Sequence, residues 1–205
     1  MVAGELQNRQ QWPMSEEEYF AFADAQTEGK YEYRQGVVYA RVGGTFNHSL
    51  ITANTGTQLG NKLADSDCAV LSSDMRVRIA ALEANRYPDV SVVCGEPAFF
   101  EGNTTTMTNP VLLVEVLSPS TSRVDYEEKL QEYTRIPSLR AYLLIAQDRP
   151  LVQSFQRNEE AQWVFRSAEG LEAHVEVEAL GVTLALADLY RKVRWEAENA
   201  SDEQA

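Results

Sequence analysis

From position 111 to 117 the chain is apolar at every residue but one, the pattern of a strand buried on both faces, and the exception is Glu115. Elsewhere the periodicity is shorter. Met75, Val77 and Ile79 alternate with Arg76 and Arg78, which predicts a half-exposed strand. Residues 87–93 predict another, with Pro88 among its first residues, where a missing backbone donor does little harm. Strand character also marks 31–33, 37–42, 68–71, 141–145, 152–156 and 163–166. Ser15 followed by Glu18 is a capping box that opens a short helix to about Ala25. Asn47 is expected to cap a second helix carrying Leu50, Ile51, Leu59 and Leu63, with Gly56 and Gly60 marking close packing. A third helix is expected over 122–136, after the turn Ser118-Pro119-Ser120-Thr121, and a terminal helix within 183–196. Residues 95–110 are expected to form a loop. Mixed strands and helices of this kind predict an α/β domain.

At 205 residues, 44 % of them apolar, the chain is long enough for one ordinary core and too apolar for global disorder. No apolar run reaches transmembrane length, and the first residues lack the basic start and apolar stretch of a secretory signal. Cys68 and Cys94 are read as buried free thiols of a reducing compartment, so a cytoplasmic protein without membrane contact is expected. The expected organisation is an N-terminal extension over 1–14, one domain over 15–195 and a disordered acidic tail over 196–205. Charge narrows the partners. Eighteen Lys and Arg against 31 Asp and Glu leave a net charge of -13. A protein that coats DNA presents a basic field, because phosphate contacts supply much of its affinity. This balance favours a local site instead.

Glu115 is the sharpest candidate for such a site. An ionised carboxylate among Val, Leu, Leu and Val needs a metal, a basic partner or a proton to offset its desolvation. Arg140 is one available partner. Asp89 stands at the head of the apolar stretch 90–93. Two carboxylates together suit magnesium, which prefers hard oxygen ligands and completes its shell with phosphate and water. A backbone carbonyl near Val116 could add a ligand, and a nearby lysine could orient the attacking water. Gly43-Gly44 has no dinucleotide-binding or Walker spacing, which excludes a nucleotide cofactor.

Tyr87-Pro88-Asp89-Val90, then Val114-Glu115-Val116-Leu117-Ser118-Pro119-Ser120-Thr121, then Asp125 and Glu128-Lys129, resemble the putative restriction endonuclease family, long catalogued as a domain of unknown function and abundant in cyanobacteria. The resemblance spans roughly residues 15 to 190. It implies the core of the PD-(D/E)xK nuclease superfamily: a restriction endonuclease-like fold, a mixed β-sheet flanked by α-helices, dependence on Mg²⁺ with Mn²⁺ as a substitute, and DNA as partner. In that light Asp89 matches the metal-binding Asp and Glu115 the acidic strand residue. Leu117 stands where the superfamily usually has its lysine, and Lys129 matches the lysine this family uses instead. Glu32, His48 and Asp74 match supporting positions of the family.

Tyr126, Lys129, Leu130 and Tyr133 share one helical face, which predicts a Lys129 tip near the two carboxylates, with Asp125 as the competing partner. Arg76, Arg78 and Arg86 are candidates for substrate contact. The leading reading is a Mg²⁺-dependent endonuclease that hydrolyses DNA by metal-activated water attack, with Asp89, Glu115 and Lys129 as the catalytic set. The competing reading is a nuclease-fold binding module without catalysis. A homodimer is expected, joined through apolar surface near Trp163 or Trp195, since two symmetry-related sites suit cleavage of two strands.

Overall fold

A computed structural model describes residues 11–27, 29–41, 43–117 and 122–195, with backbone alone for residues 11, 12, 102 and 122–127. In chain order the first half holds β1 (Gln11–Pro13), α1 (Glu16–Ala25), β2 (Lys30–Arg34), β3 (Val37–Arg41), α2 (Phe46–Lys62), β4 (Cys68–Ser72), β5 (Arg76–Ile79), β6 (Ala84–Arg86) and β7 (Val90–Cys94). The second half holds β8 (Thr106–Met107), β9 (Leu112–Leu117), α3 (Ser122–Tyr133), β10 (Ala141–Ala146), β11 (Leu151–Arg157), β12 (Trp163–Glu169), β13 (His174–Val177), β14 (Val182–Ala185) and α4 (Leu186–Leu189).

Among the described residues the strands form two six-stranded sheets and one hairpin. The first sheet runs β1-β3-β2-β6-β5-β8, the second β12-β11-β10-β9-β7-β4, and β13 pairs with β14. The second sheet is mixed, because β9 is parallel to β10 and antiparallel to β7. Parallel neighbours need a crossover, and α3 is the helix of the β9–α3–β10 connection. That connection brings α3 back onto the sheet beside β9.

Strand geometry sends alternate side chains of β9 to opposite faces. Leu112, Val114 and Val116 join Ile51 and Leu59 of α2 and Leu186 and Leu189 of α4 in the larger core. Leu113 joins Tyr133, Ile136 and Tyr142 in a second core, so Glu115, two residues on, faces the α3 side. A smaller cluster, Tyr19, Tyr33 and Val38, seats α1 on the first sheet. The α/β class and the mixed sheet flanked by helices are thus present.

Several local expectations change. Thr45, not Asn47, caps α2: its Oγ1 accepts the His48 amide at 3.2 Å. A Cβ at Gly56 or Gly60 would meet nothing within 4 Å, so these glycines do not mark close packing. Helix α3 stops at Tyr133, a turn short of 136, where Pro137 restricts the preceding residue. The terminal helix is short: after β14 ends at Ala185, α4 holds only Leu186–Leu189. Gln11–Pro13 pairs with β3. Cys68 and Cys94, opposite one another across β4 and β7, are joined in a disulfide, so they are not free thiols and the argument for a reducing compartment loses its premise. Residues 118–121 and 196–205, expected to be a turn and a disordered tail, lie outside the described residues. Among the described residues no helix is long and apolar enough to cross a membrane.

Candidate active site

Asp89 ends the approach to β7, and its own amide donates to the Val114 carbonyl at 3.1 Å, stitching it to β9. Its carboxylate is 2 % exposed. Oδ2 accepts the Val116 amide at 2.7 Å and lies 3.1 Å from His48 Nε2, while Oδ1 accepts the Arg41 guanidinium, which also donates to the Tyr87 carbonyl. Glu115 is equally buried, and its Oε1 accepts the Tyr133 hydroxyl at 2.7 Å. Lys129 Nζ stands 3.0 Å from the same oxygen, one turn before Tyr133 on α3. The expected side of Lys129 is therefore the observed one, although the side chains of its competing partner Asp125 and of Tyr126 lie outside the described residues.

Environment drives the two acids apart. Burial alone would raise Asp89, but the His48 hydrogen bond, Arg41 and the Val116 amide together hold it below the ordinary carboxylate range. Burial raises Glu115, Lys129 opposes that only in part, and the Asp89 charge adds to the rise. Tyr133 is pushed well up by burial and by Glu115, so it remains a neutral donor. Paired carboxylates with divergent protonation are the kind of arrangement on which acid–base and metal chemistry is built.

Asp89 reaches the wall of a cavity of about 440 Å³ that Lys30, Arg41, His48, Ser49 and Thr52 also line. Gly44 closes over the imidazole: a Cβ there would sit 2.6 Å from His48 Nδ1. On the far side of Thr45, its hydroxyl lies 2.5 Å from Oε1 of the buried Gln147. Asp74, largely exposed, pairs with Lys30 at 2.7 Å at the rim.

Glu32 belongs to an adjoining cluster. It accepts Arg86 at 2.9 Å and the Tyr87 amide at 3.3 Å. Burial would raise its pKa, yet Lys129, Arg86 and Arg41 bring it down to about 2. Arg86 also grips Glu132 of α3 through two bonds of 2.8 and 2.9 Å. Arg34 adds bonds to Glu132 at 2.8 Å and Glu128 at 2.6 Å. These ties hold the rotation of α3, and with it the side of the helix that carries Lys129.

The three arginines expected to contact substrate do not line the cavity. Arg76 is 1 % exposed, bonded to Asp24 and Thr106 and set against the Tyr19 and Phe20 rings. Arg78 is chelated by Glu16 at 2.8 and 3.0 Å. Arg86 is consumed by Glu32 and Glu132, as above. The reading of Arg76 and Arg78 as a solvated strand face fails because α1 covers that face and supplies the acids. Arg41, Tyr133 and Gln147 were not among the expected site residues. Only Tyr133 carried a signal, its place on the face of Lys129. Trp163 and Trp195, proposed dimer anchors, are half-buried and pack on the two cores.

Asp67, Cys68 and Cys94 place their ligand atoms within 4.8 Å of one another, a cluster that could hold a metal ion. Its sulfurs are soft and joined in the disulfide, so this cluster is not suited to magnesium. Asp89 and Glu115 offer hard oxygens alone and fit magnesium better.

A family described as "Putative restriction endonuclease", Uma2, matches residues 16–187. The chain belongs to this family. It is thereby a member of the PD-(D/E)xK-like nuclease superfamily. The chain is similar to two Synechocystis sp. proteins. It is 34 % identical to "Uncharacterized protein slr1290" over 178 residues, 87 % of this chain and 92 % of the relative. It is 36 % identical to "Uncharacterized protein sll1609" over 159 residues, 78 % and 89 % of the two chains. In three dimensions it resembles the crystal structure of a putative nuclease belonging to DUF820 from Anabaena variabilis, with a TM-score of 0.72, 18 % identity, and coverage of 87 % of this chain and 98 % of that one. At that identity the likeness shows the shared fold, a restriction endonuclease-like core.

Proposed function

We propose that this Uma2 member is a Mg²⁺-dependent endonuclease that hydrolyses DNA phosphodiester bonds by attack of activated water. The observation that carries the reading is Asp89, at the entry to β7, beside Glu115 on the adjoining β9, with Lys129 Nζ 3.0 Å from Glu115. Asp89 and Glu115 would hold the ion, with the Val116 carbonyl as a further ligand. Bound there, Mg²⁺ would polarise the phosphoryl group and lower the pKa of the attacking water.

The remaining roles belong to the protein. Lys129 takes the place of the lysine missing at Leu117 and sets its ammonium against the phosphate or the water. Catalysis needs a charged tip at the phosphate and is indifferent to whether strand or helix supplies it. His48 and the Val116 amide fix the orientation of the Asp89 carboxylate. Arg41 pairs with Asp89 and would supply positive charge near the scissile phosphate. Glu32 and Arg86 support the site through α3 rather than by contact with the reacting atoms.

Incubation with single-stranded, duplex, nicked and branched DNA in Mg²⁺ or Mn²⁺ tests the reading. Hydrolysis is expected in at least one case and is lost in D89A and E115A. Activity unchanged in those variants removes the residue assignment, and no hydrolysis anywhere returns the chain to the noncatalytic reading.

A further inference from the structure

Gln147 directly follows β10 and is 5 % exposed. An amide so enclosed is costly unless it finds a partner. Its partner is 102 positions away: the Thr45 hydroxyl donates to Gln147 Oε1 at 2.5 Å. The same hydroxyl accepts the His48 amide at 3.2 Å, so one oxygen both caps α2 and ties the start of that helix to the end of β10. From there the bonds close a ring around the site. His48 Nε2 meets Asp89 Oδ2 at 3.1 Å, and the Val116 amide donates to that oxygen at 2.7 Å. Val116 is followed by Leu117, whose carbonyl accepts the Gln147 amide at 3.3 Å. Strands β9 and β10 are held in register by their own ladder, up to Ala146 beside Leu117. Helix α2 has no such ladder. Its Ile51 and Leu59 pack in the larger core, but apolar contact is non-directional and leaves the pose of the first turn open. Asn47 binds the Arg194 carbonyl at 2.8 Å, a tie to the terminal segment and not to the sheet.

We infer that Gln147 is a positioning residue for the proposed nuclease site: through Thr45 it sets the start of α2 so that the His48 imidazole meets Asp89. It touches neither carboxylate of the pair. Its effect is to hold Asp89 in one orientation, because a ring that is braced on both sides leaves its hydrogen-bond partner little freedom. The inference rests on the nuclease reading for its bearing on catalysis, though not for the geometry it assigns.

The chain has two histidines, so the ring signals of His48 and His174 are readily assigned, and exposed His174 serves as an internal reference. In two-bond ¹H–¹⁵N correlation spectra of the metal-free protein, the His48 ring nitrogens should shift in Q147L and T45V and stay in place in T45S, which keeps the hydroxyl. His174 should be unmoved throughout. The double variant T45V/Q147L should match T45V, since both substitutions cut one link. Mn²⁺ affinity, by calorimetry, should fall about ten-fold in Q147L, the scale for losing an outer partner of a metal ligand. A residue that only stabilises the fold would lower the melting temperature and leave the His48 signals of the folded protein where they were. His48 signals of folded Q147L that superimpose on wild type, shifts that add in the double variant, or Mn²⁺ held by Q147L as tightly as by wild type overturns the inference. Thr45 is exposed, so T45V supplies the same His48 test if Q147L does not fold. If wild type neither binds Mn²⁺ nor cleaves DNA, the nuclease reading falls and the His48 shifts alone decide the positioning role.

Discussion

Glu132 and Asp89 are buried to nearly the same degree, 1 % and 2 % exposed, and both carboxylates meet arginine. Glu132 is enclosed. Arg86 takes both its oxygens, and Arg34 takes one again. Asp89 is held by an amide, a histidine and an arginine, but it forms part of the wall of an open cavity. Burial of charge is thus common to a structural clamp and to the candidate site. A buried ion pair is weak evidence of function on its own. Access, and the opposite displacement of Asp89 and Glu115 from the ordinary carboxylate range, separate the two clusters.

The comparison breaks first at Arg86. Removing it leaves Glu32 and Glu132 as uncompensated buried charges, so R86A should lose about 3–5 kcal/mol of stability by urea denaturation. A stability loss below about 1 kcal/mol would mean the closed cluster is not a clamp. Next is Lys129. K129A should lower cleavage about 10²- to 10³-fold while circular dichroism stays native, since Glu115, already raised, can take up a proton in place of its partner. Equal cleavage by K129A and wild type would move Lys129 to the structural side.

Acid separates the clusters more finely. Glu32 has a folded-state pKa of about 2, below its unfolded value, so its contribution is present above roughly pH 4.3 and is lost as pH falls from there through about 2. Glu115 has the opposite sign: its raised value costs stability near neutrality, and the cost is relieved as pH falls. The fall in denaturation midpoint between about pH 4.3 and pH 2 should be shallower in E32Q, whereas the gain that Glu115 supplies as pH falls from neutrality toward about 4.3 should be absent in E115Q. The smallest effect is expected at Gly44, where a methyl group would displace the His48 ring from Asp89. G44A should reduce cleavage by about ten-fold, the scale of one hydrogen bond to a charged group, with a melting temperature close to wild type.

How much of this was legible in the sequence depended on range. Glu115 declared itself by interrupting an apolar run, and Lys129 by its spacing from Leu130 and Tyr133 on one helix, both local signals. The hairpin of β13 and β14 was missed although Val175 and Val177 alternate with polar residues. Arg76 was misjudged because period-2 alternation identifies two faces of a strand without saying that both are covered. The cover is Asp24, 52 positions away on α1. The disulfide depended on the register of β4 against β7 across a separation of 26 residues, which no local pattern encodes. Arg41 reaches Asp89 from β3, 48 residues distant, and ends no recognisable motif. Alternation, capping and turn chemistry are written locally, whereas ion pairs between elements are set by how the sheets stack.

Calorimetric titration of Mn²⁺ into wild type, D89N, E115Q and E132Q tests the difference between the two clusters directly. Binding by wild type and by folded E132Q, with its loss in D89N and E115Q, is the predicted result. Absence of binding in wild type at millimolar Mn²⁺, or loss in folded E132Q equal to that in E115Q, would contradict it.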